Sequence, residues 1–232
     1  AEASWTPRTR VAMVASPSNP TGTLVEPGEI AALAGLARGR GATLLVDEIY
    51  HGLTYGRDAR TALEAGSDVF VINSFSKYFQ MTGWRLGWMV VPEGCVREVE
   101  KLAQNLYISP STIAQHAALA AFSPGTIEIL EARRREFQAR RDFLLPALAS
   151  LGFSLGAVPE GAFYVYAGCS RLTDDSFALA RAALSQAGVA FTPGKDFGFN
   201  APERHIRIAY TQPVARLEEA VSRLRAFLGK GS

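Results

Sequence analysis

Two cysteines in 232 residues are too few for a disulfide framework, and two isolated thiols suit a reducing compartment, so a cytoplasmic protein is expected. Long apolar runs are also missing. Stretches such as Thr43–Val46 and Trp88–Val91 are far too short to span a bilayer. The charge is nearly balanced, 24 basic against 22 acidic residues, which gives no electrostatic case for nucleic acid or an anionic membrane as partner. Histidine is scarce. His51, His116 and His205 are scattered without metal-ligand spacing, so they read as ordinary residues and no metal site is expected. No basic segment followed by an apolar one opens the chain, so no secretory signal is expected. No internal repeat, low-complexity stretch or helix-turn-helix pattern stands out.

What is present is a chain 48% hydrophobic, long enough to bury one large core or two smaller ones. Val11–Ala15 is a short apolar run that ends in Ser16-Pro17-Ser18-Asn19-Pro20-Thr21-Gly22, where two prolines and a glycine force a loop. Glu26-Pro27-Gly28-Glu29 starts a helix with Ile30, Leu33, Ala34 and Ala37 on one face, and Gly39 and Gly41 end it. Thr43–Val46 is a second buried strand ending in Asp47-Glu48-Ile49-Tyr50. A third, Val69–Asn73, runs into Ser74-Phe75-Ser76-Lys77, and a fourth covers Leu86–Val91.

Continuous apolar strands separated by helices indicate an α/β sheet covered on both faces, with ligands beyond the strands' carboxyl ends. Three such ends carry Asn19, Asp47 with Tyr50, and Ser74 with Lys77, and are expected to face one crevice. Helices are predicted over Val96–Leu106 and Thr112–Phe122, then a long charged one over 126–149, with Pro146 late in it. Beyond Gly152, short strands are expected at Phe153–Val158, Ala162–Ala167, Val189–Phe191 and His205–Tyr210, with helices at Ser176–Ala187 and Val214–Leu228. This gives two domains, 1–124 and a smaller α+β one at 125–232.

A lysine at the end of a buried strand is costly to keep charged and unpaired, and enzymes use such amines to form imines. Singly, each candidate has a plain structural reading. Asn19 would be a turn residue before proline, Asp47 a helix cap, Arg207 a solvent-facing strand residue and Lys77 a solvated strand end. No structural rule requires these types together at these strand ends.

Ser16-Pro17-Ser18-Asn19-Pro20-Thr21-Gly22, Asp47-Glu48-Ile49-Tyr50, Ser74-Phe75-Ser76-Lys77 and Gly83-Trp84-Arg85-Leu86-Gly87 occur in the order and spacing of class I/II aminotransferases. His205-Ile206-Arg207-Ile208-Ala209-Tyr210 resembles that family's substrate-carboxylate segment. The resemblance covers nearly the whole chain. It implies part of a fold type I large domain, a mostly parallel sheet with helices on both faces, followed by a smaller α+β domain. It also implies pyridoxal 5′-phosphate as cofactor, an α-amino acid and an α-keto acid as substrates, and a homodimer. Residue by residue, it implies that Lys77 forms the Schiff base and shuttles a proton. Asp47 would pair with the pyridine nitrogen, Asn19 and Tyr50 with the 3-hydroxyl oxygen, Ser74 and Arg85 with the phosphate, and Arg207 with the substrate carboxylate. Gly161-Ala162-Phe163-Tyr164 resembles a segment near the substrate, although Phe and Tyr on a strand are usually core.

Family members have a further N-terminal portion, implied to supply a phosphate-binding helix N-terminus, a ring-stacking aromatic residue and a gating segment. A piece of a longer chain is therefore expected: a domain, a proteolytic product or one part of a split enzyme, inactive alone. Within the same fold a β-lyase or decarboxylase remains open, as does a non-catalytic sensor domain of a transcriptional regulator. The dicarboxylate-specific branch carries an arginine where this chain has Gln104-Asn105-Leu106, which argues against dedicated aspartate specificity by that route.

Overall fold

The computed structural model describes residues 1–229, and the chain in it divides into two compact units. The first comprises Ala1–Pro17 and Leu24–Ala132; the second takes Ser18–Thr23 and the chain from Arg133 onward. The sequence expectation put the division at 124/125; the compact units divide at 132/133. Positions 230–232 of the expected second domain lie outside the described residues.

In the first unit, β1 (Val11–Ala15), β2 (Thr43–Asp47), β3 (Phe70–Ser74) and β4 (Gly87–Val90) form one sheet in that order. The first three are parallel and β4 runs antiparallel to β3, with Ser74 opposite Gly87. Helix α1 (Pro27–Gly39) begins where the sequence indicates. Pro27 occupies the first turn, and the Glu26 and Glu29 carboxylates each accept from the other's backbone, satisfying donors the helix cannot use. Its buried Ile30, Ala34 and Ala37 pack with Leu44, Val46, Val69 and Val71 in one apolar core.

Part of this sheet is open to solvent among the described residues. β4 is exposed along its whole length, and Met13 of β1 is 72% exposed. Helices α2 (Val96–Leu106) and α3 (Thr112–Ala121) follow, and α4 (Pro124–Ser150) runs through Pro146 and crosses from one unit into the other.

The second unit holds an antiparallel sheet in the order β5 (Ser154–Leu155), β6 (Tyr164–Gly168), β8 (His205–Ala209), β7 (Thr192–Pro193). Two strands are corrected. The pairing predicted for Phe153–Val158 is confined to two residues, since Gly156 and Pro159 follow. The strand predicted at Val189–Phe191 lies instead at Thr192–Pro193, because the Val189 amide is taken up by the Ala183 carbonyl at the end of the helix ahead of it. That helix, α5 (Ser176–Ala182), continues as a π-turn to Ala187 and closes on Gly188 in the left-handed region. Helix α6 (Val214–Leu228) buries Leu217, Val221 and Leu224.

Candidate functional site

The two units each carry part of the predicted constellation. In the first, β2 delivers Asp47 at its carboxyl end, and one Asp47 oxygen accepts from the Ile49 amide at 3.0 Å. That bond turns the chain so that Tyr50, two positions on from Glu48, is buried (4% exposed). β3 delivers the lysine segment. Phe75 is its anchor: the ring is buried and meets Phe79, Trp88 and Phe122 at 4.9, 5.0 and 5.7 Å between centroids. With Phe75 buried, its polar neighbours are fixed around it. Ser74 Oγ accepts from the Ser76 amide at 3.0 Å, and its one proton faces Ser76 Oγ at 2.9 Å and the Leu86 carbonyl at 3.2 Å. Lys77 Nζ stands 5.8 Å from the Tyr50 ring centroid. The structure thus brings Lys77 and Tyr50 together.

Arg85 is exposed, its backbone in the left-handed region (φ +54°), and its Nη1 donates to the Thr82 carbonyl at 2.9 Å. It lines a cavity of about 930 Å³ with Trp84, Leu86, Tyr107, Ser109 and Ser111. Gly87, at the far side of the Arg85 turn, leaves no room for a side chain: a Cβ there would stand 2.7 Å from the Asn73 carbonyl oxygen.

Glu48, not among the predicted site residues, is 3% exposed and accepts from Thr61 Oγ1 and the Ala62 amide at 3.0 and 2.6 Å. His51 Nδ1 lies 3.3 Å from its other oxygen. Burial pushes the His51 imidazole below its ordinary pKa, against the pull of the Glu48 carboxylate. This dyad ties the loop after β2 to residues 61–62, and an acidic residue beside Asp47 with a histidine three positions on was the signal available in sequence.

In the second unit Asn19 and Arg207 meet. Arg207 Nη1 donates to Asn19 Oδ1 at 2.8 Å, joining residues 188 apart in sequence. The loop carrying Asn19 is stitched down by backbone bonds: the Glu160 and Gly161 amides both donate to the Gly22 carbonyl at 2.9 Å. Arg207 is sandwiched, its guanidinium carbon 4.1 Å from the Tyr164 ring centroid and 4.5 Å from that of Phe197. Its Nε is buried with no hydrogen-bond partner, a donor that calls for an acceptor such as a carboxylate. Tyr164 therefore sits beside the candidate site as well as in the core. Phe197 was not singled out, because a lone aromatic in a Gly-rich loop has no periodicity to mark it.

The "Aminotransferase class I and II" family profile matches residues 2–224. The chain belongs to the class I and II aminotransferase family. It is 40% identical over 224 residues to the valine–pyruvate aminotransferase of Mycobacterium tuberculosis, covering 96% of this chain and 58% of that protein. It is 35% identical to the aspartate aminotransferase of Geobacillus stearothermophilus, with 96% and 58% covered. A crystal structure of an aminotransferase from M. tuberculosis superposes with a TM-score of 0.93 at 39% identity, over 98% of this chain and 59% of that one. The chain thus spans about 58% of the length of the curated relatives it matches. The aminotransferase fold is that of pyridoxal-phosphate enzymes of fold type I, and the first unit's mixed sheet with its helices is part of the large domain of that fold.

Proposed function

We propose that this chain is the part of a pyridoxal-phosphate-dependent aminotransferase that holds the cofactor's reactive end and the substrate carboxylate, moving an amino group between an α-amino acid and an α-keto acid. The observation that carries the reading is Lys77 beside the Tyr50 ring, with the linked hydroxyls of Ser74 and Ser76 at the same strand end. An amine, hydroxyl donors, an exposed guanidinium beside a cavity and a strand-end carboxylate match a phosphorylated pyridine aldehyde group for group, so the donor set fits the cofactor.

When bound, pyridoxal 5′-phosphate supplies an aldehyde that condenses with amines and a protonated ring that withdraws electrons. The Lys77 amine would hold the cofactor, and once free would take the proton from the substrate Cα and return it. The Asp47 carboxylate would keep a proton on the pyridine nitrogen, a task a neutral amide performs poorly. Tyr50 and Asn19 would hydrogen-bond the ring's 3-oxygen. Ser74 and Arg85 would bind the phosphate, and Arg207, already oriented by Asn19 and two rings, would hold the substrate carboxylate. Cytoplasmic residence is supported by two free thiols, Cys95 and Cys169. No described helix is long and apolar enough to cross a membrane.

The test is to incubate with pyridoxal phosphate, reduce with borohydride and map the adduct by mass spectrometry. Label at Lys77 is expected; label on another lysine, or none, would refute the assignment.

A further inference from the structure

Lys77 is followed by an aromatic residue whose position is unusually constrained. Gly52, in the loop after β2, has φ +86°, and a Cβ built on it would stand 2.5 Å from the Tyr78 ring. The phenol therefore lies directly on the Gly52 backbone, an approach only glycine permits. At its other end Tyr78 Oη donates to Glu131 Oε1 of α4 at 2.7 Å. The ring also meets Phe79 edge-on at 5.1 Å, and Phe79 belongs to the aromatic cluster around Phe75. Just beyond, the Gln80 amide donates to the Lys77 carbonyl at 3.0 Å.

We infer that Tyr78, seated on Gly52 and hydrogen-bonded to Glu131, is a positioning residue that holds Lys77 over Tyr50. Gly52 and Tyr50 lie in one loop and Lys77 and Tyr78 in another. Locking Tyr78 onto Gly52 therefore registers the second loop against the first and fixes where the Lys77 backbone starts. A flexible amine gains effective concentration at a fixed target only when its stem is held, and a displacement of about 1 Å can cost up to a hundredfold. Glu131 needs only to accept, so a glutamine there preserves the device. The inference builds on the proposed role of Lys77, but the placement of its amine can be measured without cofactor.

The experiment is pulse acetylation of the full chain with acetic anhydride, read at each lysine by peptide mass spectrometry, alongside reductive trapping with pyridoxal phosphate. Tyr78→Phe should raise Lys77 acetylation about three- to tenfold, the factor one net hydrogen bond sets, and slow trapping by a similar factor. Tyr78→Leu should do more of both, and Glu131→Gln should stay near the parent. Lys101 and Lys195, both exposed, should react unchanged in every variant. Unchanged Lys77 acetylation in Tyr78→Phe and Tyr78→Leu would overturn the inference. So would an equal rise at Lys101 and Lys195, which would mark general loosening of the fold. If the parent traps no cofactor at Lys77, the aminotransferase role of Lys77 fails, while acetylation still decides whether Tyr78 positions it.

Discussion

Arg207 shows how far a side chain can be ordered with no ligand present. Two aromatic faces and the Asn19 carbonyl oxygen fix its plane, so little rotamer freedom is left to lose on binding. Arg207→Lys, in an enzyme carrying this chain, should raise KM for the amino acid about ten- to a hundredfold with a smaller change in kcat, since an ammonium lacks the planar fork. Steady-state kinetics with several amino acids checks this. Asp47→Asn should leave folding nearly intact and lower the transamination rate about a hundred- to a thousandfold, the range for removing one preorganised electrostatic group. Near-parent turnover in both variants would place the site elsewhere. His51 gives a pH signature. Burial lowers its folded pKa below the ordinary value of about 6.5, so its stabilising contribution is present above that pH and lost as pH falls through the folded value. The thermal midpoint should drop on acidification below about pH 6.5, and His51→Gln should flatten that slope. At this scale the sequence places Asp47 and Lys77 at or just past strand ends and Asn19 in the loop after β1, as the structure has them, and Arg207 within a strand. Tyr78 and Phe197 were not legible, because what matters in each is a ring resting on a distant backbone or guanidinium.

The elements with strong local signals were legible almost to the residue. Helix α1 has Pro27 and a reciprocal pair of glutamates at its start, and α2 and α6 follow clear helical patterns. β7 was misplaced because the apolar Val189 reads as a strand residue, whereas its amide closes the preceding helix on the Ala183 carbonyl. The extent of β5 was overestimated because apolar residues near Gly156 and Pro159 mimic a strand. The loop Ser18–Thr23 is an element in its own right. Gly22, at φ +70°, has Gly161 O and Pro159 Cβ each 2.7 Å from where a Cβ would sit. Gly22→Ala should therefore cost about 2–3 kcal/mol through strain and overpacking. It should also weaken ligand carboxylate binding by displacing Asn19 from Arg207. Calorimetry with the thermal midpoint unchanged would contradict this.

For the whole molecule, the exposed apolar surface is the dominant fact. Trp88, Met89 and Val90 on β4, and Leu106, Ile108, Ile113 and Leu119 beyond it, are all more than a third exposed. Surface of this kind is covered by other polypeptide in stable proteins. The 232 residues alone should self-associate in a concentration-dependent way, visible by sedimentation velocity, and bind pyridoxal phosphate far more weakly than a full family member. Tight binding with turnover would show the site to be self-sufficient. The Asn19–Arg207 bond carries a different consequence, one of timing. It closes a loop of 188 residues, so its closure entropy must be met by contacts formed first. During synthesis at about 5–20 residues per second, Asn19 waits roughly 10–40 s for Arg207 to be made. The 159–161 backbone that holds its loop is made 46 residues before Arg207, so the loop can be seated before the guanidinium arrives. A nascent chain of this protein therefore makes the Asn19–Arg207 bond only after Arg207 has been synthesised, and a polypeptide starting at residue 133 would never make it.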